Sequence, residues 1–477
     1  MKLASSSLPV IRLLPLSVLL GACAVGGPYE GMTVPPAQTP AWQIPLESRV
    51  NTEQLVSRWW ESLHDEQLSA LVDKALQHNN DVGLALANLQ RARSELRAAR
   101  LDRLPELGSS VSATDQRFSN AQAVGGVPGA RFTSYQAGFD TSWELDLFGR
   151  LGEEVKASRA QLEATQAELD QVYVTVAAEV ARTYIELRGT QMRLQVAQRN
   201  VAILEQSSDM TQQLLDGGLG DNLDVQRARA QLELARAQLP LLRSQVASSI
   251  NRLSVLTGSM PSTLHASLQE IGVMPSIPPS VAVGEPMSLI KRRPDIRHAE
   301  RMLAREIARY NVRVADMYPR VSITGSIGFL ATAFADLGSG GTLTHLMGPQ
   351  IHWDAFNLGR VRNQVDIADA QVQGQLEVFE KTLLGAFEEV DNAMLSLNAE
   401  LERQSRLREA AQASAQSTGF ARLRYEAGSD SFLDLLDAQR TQLEAEDLLA
   451  RSEIDVALNV IALYKALGGG WEMMDAR

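Results

Sequence analysis

The sequence predicts a mainly α chain that also carries membrane β-structure, with two very long helices and four membrane-type strands per chain. Three observations carry this prediction. First, the chain is written twice: Trp143-Glu-Leu-Asp-Leu-Phe-Gly-Arg150 returns as Trp353-Asp-Ala-Phe-Asn-Leu-Gly-Arg360. The same step takes Gly218 to Gly428, Leu223-Asp224 to Leu433-Asp434, Ala228 to Ala438 and Gly258 to Gly468, so a long segment is duplicated as a unit. Second, each copy holds a polar stretch free of Pro, over residues 150 to 214 and 360 to 425. Such a helix is roughly 100 Å long at 1.5 Å per residue, beyond what a globular core uses, so it belongs to a coiled coil or a helical cylinder. Third, each copy opens on a hairpin whose residues alternate with period two.

In chain order, residues 1–22 read as a leader, with Lys2 and Arg12 ahead of the apolar run from Leu13 to Leu20. The run ends in Leu20-Gly21-Ala22-Cys23, which resembles a bacterial lipobox. Cys23 would then carry a covalent lipid, palmitate included, and be the first mature residue. It is also the single cysteine, which excludes an intrachain disulfide and a thiolate metal cluster. Ala24 stands where inner-membrane lipoproteins typically have Asp, so the expected destination is the outer membrane.

The segment 23–60 reads as a tether, with Gly26-Gly27-Pro28 and Pro35-Pro36. A first helical region follows through Leu68, Leu71, Val72 and Ala75 to Leu96, and Pro105 stops it. In the hairpin at about 106–147, Tyr135, Ala137, Phe139, Thr141, Trp143 and Leu145 share one strand face, and Ser134, Gln136, Gly138, Asp140, Ser142 and Glu144 share the other. In the second hairpin, at about 320–355, Val321, Ile323, Ile327 and Phe329 oppose Ser322, Thr324 and Ser326.

In the first long helix, Val155, Leu162, Leu169 and Val176 repeat every seven residues, and Val180, Leu187, Leu194 and Val201 do so after a step of four. This fits a stutter, or one heptad frame in which the stripe passes from d to a. Gly218 and Gly428 end the long helices, and return helices follow over 221–257 and 431–467. The first repeat thus spans 61–260 and the second 291–470, joined by a Pro-rich connector over 261–290 and followed by a tail over 471–477.

The net charge of −12, with both signs scattered, disfavours nucleic acid as a partner, because phosphate binding needs a concentrated basic face. His64, His78, His265, His298, His345 and His352 have no metal-ligand spacing, and no nucleophile elbow or phosphate loop accompanies them, so an enzyme and a bound cofactor are not expected. The Gly338–Gly341 run lacks a P-loop Lys and reads as an exposed loop. Trp59-Trp60 reads as a packing anchor. After Cys23 no apolar run reaches the ~20 residues a membrane helix needs, so any membrane crossing falls to the strands. Four strands cannot close a barrel, and open edges are not tolerated in lipid, so copies must combine; three would give twelve strands.

Several stretches together resemble the TolC-like outer-membrane efflux channels, in their OprM and NodT lipoprotein branch. They are Trp59-Trp60-Glu61-Ser62-Leu63-His64-Asp65 with Leu68 and Leu71, Asn80-Asp81, and Arg292-Arg293-Pro294-Asp295 through Glu300. Ala315-Asp316-Met317-Tyr318-Pro319 runs into Thr324-Gly325-Ser326, and the most diagnostic stretch runs from Arg424-Tyr425 to Ala438-Gln439. Gly27-Pro28-Tyr29 departs from the family by lacking an Asp or Asn before the Tyr.

The resemblance implies a homotrimer with a transmembrane β-barrel of twelve strands and a long periplasmic α-helical barrel. It works as the passive exit duct of a tripartite pump, with a periplasmic membrane-fusion adaptor and an inner-membrane RND-type transporter as partners. It assigns the pore gate to Leu433, Asp434 and Asp437, supported by Tyr425 and Asp430, and the adaptor-contacting tips to Gly218, Leu219, Asp221, Asp224 and Gly428. Residue types alone leave Asp434 and Asp437 open between acidic rings, which select cations, and first-turn acids stabilised by the helix dipole. They leave Gly218 and Gly428 open between contact sites and plain C-caps. Protein secretion, metal-ion efflux and a lipid-anchored coiled-coil scaffold are the alternative functions.

Overall fold

The structure is a computed structural model that describes residues 27, 50–51, 56–121 and 128–472. Cys23, the leader and most of the tether lie outside the described residues. The elements are β1 (Val50–Asn51), α1 (Glu66–His78), α2 (Asn80–Leu101), β2 (Glu106–Arg117), β3 (Arg131–Leu145), α3 (Arg150–Asp216) and α4 (Asn222–Leu256). After them come α5 (His265–Leu268), β4 (Val281–Ala282), α6 (Pro286–Arg292), α7 (Pro294–Ala315), β5 (Arg320–Ala331), β6 (Leu343–His352), α8 (Leu358–Glu426) and α9 (Phe432–Ala466).

The compact units do not follow the sequential division into two repeats. One unit takes Gln90–Ala164 from the first repeat and Ala299–Phe379 from the second; the other takes Val34–Leu89, Thr165–His298 and Glu380–Arg477. The physical reason is that equivalent parts of the two copies pack with each other.

In the first unit the hairpins join into one antiparallel sheet, ordered β2-β3-β5-β6. The strands have 12, 15, 12 and 10 residues, at or above the ~9–11 that a tilted strand needs to cross a bilayer. Residues directly opposite in register share a face: Val111↔Ala137↔Phe329↔Leu343 and Leu107↔Thr141↔Gly325↔Met347. One face therefore carries Val111, Phe139, Trp143, Ile323, Ile327, Met347 and Ile351, and the opposite face Ser110, Ser112, Gln136, Asp140, Ser326, Thr324 and Gln350. Phe132, Leu330 and Leu346 interrupt the polar face. The apolar face is exposed along its length, including Val111, Phe139, Ile327, Met347 and Ile351.

Equivalent tryptophans tie the end of each hairpin to the turn that precedes it. Trp143 Nε1 donates to the Arg103 carbonyl at 3.0 Å, and Trp353 Nε1 to the Met317 carbonyl at 3.1 Å. Segments upstream of the hairpin loops are thus repeated with a step from 103 to 317, and those downstream with a step from 143 to 353. The second loop is four residues shorter, which absorbs the difference.

In the second unit the repeat is again visible as chemistry. Asn79, between α1 and α2, donates from Nδ2 to the Leu256 carbonyl at 2.9 Å. Its equivalent Arg293 donates to the Ala466 carbonyl at 2.6 Å. Trp59 and Trp60 are fully buried, and Trp59 stacks on Tyr464 at 4.9 Å between ring centroids, as expected of a packing anchor. The middle of α3 is buried nearly all round, at Tyr173, Val174, Val176, Ala177, Val180, Tyr184, Ile185 and Leu187. Neither heptad scheme anticipates this, because the chain around Asp65 and the connector both pack on that stretch. Tyr184 Oη donates to Asp65 Oδ2 at 2.9 Å, and Gln191 Nε2 to the Leu268 carbonyl at 2.7 Å. The connector packs into this unit: β4 pairs with β1, and Leu268, Val281 and Leu289 are buried.

Candidate functional site

The residues singled out from sequence collect at two neighbouring helix turns, α3 to α4 and α8 to α9. Both turns close by the same device. Gly218 (φ 72°) and Gly428 (φ 71°) take the left-handed conformation, which a residue with Cβ adopts only with strain. In the first turn the Leu219 amide donates to Leu214 and the Gly218 amide to Leu215, each at 2.9 Å. In the second, Ser429 donates to Arg424 and Gly428 to Tyr425, again at 2.9 Å. This is the Schellman pattern, which satisfies the last free carbonyls of a helix.

The capping role therefore accounts for both glycines. Gly428→Ala is expected to cost about 1 kcal/mol, because the added Cβ meets open space and only φ is strained. Gly258→Ala is expected to cost clearly more, since its φ is 69° and the Cβ would stand 2.3 Å from the His78 carbonyl oxygen. Thermal unfolding of the two variants side by side checks the order.

On the far side of each turn a cap restarts the chain. Asp221 is the N-cap of α4, and its Oδ1 accepts from the Leu223 amide at 3.1 Å. Ser431 is the N-cap of α9 in a capping box: its hydroxyl serves the Asp434 amide, and Asp434 Oδ2 accepts from the Ser431 amide at 3.2 Å and from its hydroxyl at 2.6 Å. The Ser431 hydroxyl and amide hold the Asp434 carboxyl below the usual carboxylate range. Asp434 is thus bonded to its own helix start. The Ser431-x-x-Asp434 spacing was the signal for it. Asp437, one turn on, has Arg440 at 3.2 Å and is otherwise exposed.

The remaining residues pack or pair between the turns. Phe432 and Leu435 are buried with Ala228, and Tyr425, Met210 and Ala421 pack against them. The Tyr425 and Phe432 rings lie 5.5 Å apart. Burial, and then the charge of Asp224, raise the Tyr425 hydroxyl above its ordinary pKa. Asp224 itself lies 3.4 Å from Arg227. Asp430 pairs with Arg424 of its own chain at 2.9 Å. Leu433 and Leu219 remain exposed, at 52% and 84%. Below the turns, Gln439 Nε2 reaches Ser207 Oγ at 2.8 Å and Arg193 Nε reaches Asp447 at 2.9 Å, tying α9 to α3.

Among the described residues no helix is long and apolar enough to cross a membrane, and no cluster of three or more His, Cys, Asp or Glu could hold a metal ion. The four-stranded sheet carries one mainly apolar face, with the Asp115–Arg131 ion pair toward its hairpin-loop end.

The profile of a family described as outer membrane efflux protein matches residues 71–259 and 286–469. The outer membrane protein OprJ of Pseudomonas aeruginosa is 30% identical over 463 residues, covering 97% of this chain and 96% of the relative. The cation efflux system protein CusC of Escherichia coli is 28% identical over 479 residues, covering 97% and 99%. Among solved structures, the outer-membrane channel OprN superposes with a TM-score of 0.88 at 36% identity, over 94% of this chain and all of that one. These likenesses span both repeats, the hairpins and both turns, and the chain belongs to the outer membrane efflux protein family.

Proposed function

We propose that this outer-membrane protein is the passive exit duct of a tripartite efflux pump, working as a homotrimer. The single observation that carries the reading is the sheet β2-β3-β5-β6, apolar on one exposed face and polar on the other, with both outer strands unpaired. Lipid has no water to satisfy free strand edges, so such a sheet belongs in a membrane only as part of a closed barrel. Three copies supply twelve strands, and their polar faces line an aqueous passage.

The long helices α3 and α8, with α4 and α9, continue the passage as a periplasmic α-barrel whose closed end lies at the two turns. Leu433, exposed on each chain, forms an apolar ring there, and Asp437 an acidic one. Asp434 backs the ring through its capping box, with Tyr425 and Asp430 as supports. Gly218, Leu219, Asp221, Asp224 and Gly428 face the periplasmic adaptor, which connects to an RND-type inner-membrane transporter. A lipid on Cys23 anchors the tether. The energy comes from the transporter, and this chain needs no cofactor. Relatives carry names as different as toluene efflux in Pseudomonas putida and cation efflux in Escherichia coli. A wide duct of this kind leaves cargo choice to the pump.

The gate is tested in planar bilayers. Asp437→Ala is expected to raise single-channel conductance or weaken block by divalent cations, without loss of folding, because its carboxylate makes no capping bond. Unchanged conductance and unchanged block would remove Asp437 from the gate. Asp434→Ala confounds the two roles, and Asp434→Asn, which keeps an acceptor for Ser431, is the companion variant.

A further inference from the structure

The charges on the apolar face of the sheet are few, and they collect at one end of it. In register, that face takes alternate residues from Leu107 to Arg117 on β2, Arg131 to Leu145 on β3, Val321 to Ala331 on β5 and Leu343 to Ile351 on β6. Its Asp, Glu, Lys and Arg members are Asp115, Arg117 and Arg131, all exposed and all beside the first hairpin loop. Arg117 stands directly opposite Arg131, a like-charge cross-strand pair that weakens a sheet unless something compensates it. Asp115 compensates one of the two: it lies diagonally from Arg131, whose Nε donates to its carboxylate oxygens at 2.9 and 3.1 Å. Arg117 has no ion-pair partner among the described residues. The loop that joins the two arginines, from Phe118 to Ala130, contains no charged residue.

Aromatic residues set the level of this pair. Trp143 and Trp353 mark the end of the face nearest the helices, and Tyr135 with Phe334, whose rings meet edge to face at 5.7 Å, mark the other. From Trp143 to Tyr135 the strand rises ~27 Å at ~3.4 Å per residue, or ~20 Å along the membrane normal at a tilt of ~40°, close to the ~25 Å apolar band that aromatic girdles bound in barrels. Arg117 and Arg131 lie ~10 Å farther out, past the apolar band but on its lipid-facing side. We propose that this cross-strand pair binds the phosphate of a phosphorylated lipid in the outer leaflet of the membrane. The inference rests on the barrel reading, with the helices on the periplasmic side, and adds to it a ligand site.

A phosphate supplies what the pair lacks. Each guanidinium presents a planar fork of N–H donors that matches phosphate oxygens, and a doubly charged anion offsets both cations at once. The lipid source follows from position: the pair stands above Tyr135, Ala137 and Phe329 on the same face, so acyl chains attached to the phosphate lie along an apolar wall. Asp115 is then a competitor rather than a ligand. Its carboxylate occupies Arg131 and repels the incoming phosphate, so Arg117 makes the first contact and removing the Asp115 charge strengthens the site.

The test is native mass spectrometry of the full-length protein in neutral detergent, titrated separately with lipid A carrying its phosphates, with dephosphorylated lipid A and with inorganic phosphate. The parent is expected to retain the phosphorylated lipid in preference to both other probes. Arg117→Gln should weaken that retention about tenfold, the loss of one charge-assisted contact. Arg117→Lys should recover part of it, and Asp115→Asn should retain the lipid more tightly than the parent, which a purely structural role for the Asp115–Arg131 pair does not predict. Equal retention of the two lipids, or no change in Arg117→Gln, would overturn the site. Inorganic phosphate bound as tightly and with the same dependence on Arg117 would overturn the lipid assignment. Looser assembly of Arg117→Gln with lipid retention unchanged would give the cation to a neighbouring copy and overturn the site as well. Insertion of the parent into zwitterionic phospholipid bilayers is measured alongside. A protein that inserts but shows no preference for phosphate sinks this inference alone, and one that does not insert sinks the barrel reading with it.

Discussion

Ile327→Arg is expected to abolish assembly in the outer membrane. Ile327 sits on the apolar face between Phe139 and His345 in register, more than half exposed in the isolated chain. An Arg facing lipid near the bilayer midplane costs about 2–4 kcal/mol, and the proposed trimer would carry the change three times. Ser326→Arg, one residue away, turns to the polar face and should assemble nearly as the parent does. The comparison is read as assembled protein recovered from outer-membrane fractions at matched expression. Equal recovery of the two variants would mean that this face does not meet lipid, and the membrane assignment of the sheet would fall.

Arg188→Ala is expected to be the most damaging change in the helical body. Arg188 is buried on α3 and donates to Tyr184 Oη at 3.1 Å, Gln191 Oε1 at 2.8 Å, the Glu270 carbonyl at 3.1 Å, and Gln67. It binds the segment after Asp65, the long helix and the connector into one network. Gly272 belongs to the same design, since a Cβ there would lie 2.4 Å from the guanidinium carbon. Truncating Arg188 leaves several acceptors unsatisfied, for a loss on the order of 3 kcal/mol. Arg188→Lys should recover only part of it, because an ammonium cannot reproduce the planar fork.

The same network predicts a pH dependence. Burial pushes the Tyr184 hydroxyl up to about 12 from an ordinary 10.0, against the opposing pull of Arg188. The unfolded chain releases this proton near its ordinary value while the folded chain keeps it, so stability falls as pH rises between those two values. Tyr184→Phe should be less stable at neutral pH, having lost the bond to Asp65, and should show a shallower decline in that alkaline window. Chemical unfolding across pH checks both signs.

Much of the fold is legible in the sequence because duplication and period two are strong signals. The hairpins, the long helices and the turn glycines all follow from spacing and residue type. What spacing could not give is which copies pack together. The pairing of β3 with β5 and the split of each repeat between two compact units depend on contacts between residues nearly two hundred positions apart. The all-round burial of α3 near Tyr184 was likewise hidden, because its cause lies in Asp65 and the connector rather than in the helix itself.

At the turns, residue identity located the site but did not settle every role. Asp434 and Asp437 look alike as acids three apart, yet Ser431 engages the first and leaves the second to face Arg440. Asp430 carried no visible partner in the sequence because Arg424 lies on the other side of a turn whose geometry Gly428 sets.

The most direct test of the exit duct is accumulation of a panel of toxic dyes, antibiotics and metal ions in cells lacking this protein, with and without its restoration. Higher accumulation in the deletion, reversed by the parent chain and not by Ile327→Arg, is the predicted result and would name the cargo class. Identical accumulation across the panel, with the protein present in the outer membrane, would contradict small-molecule efflux and favour protein secretion or a scaffold.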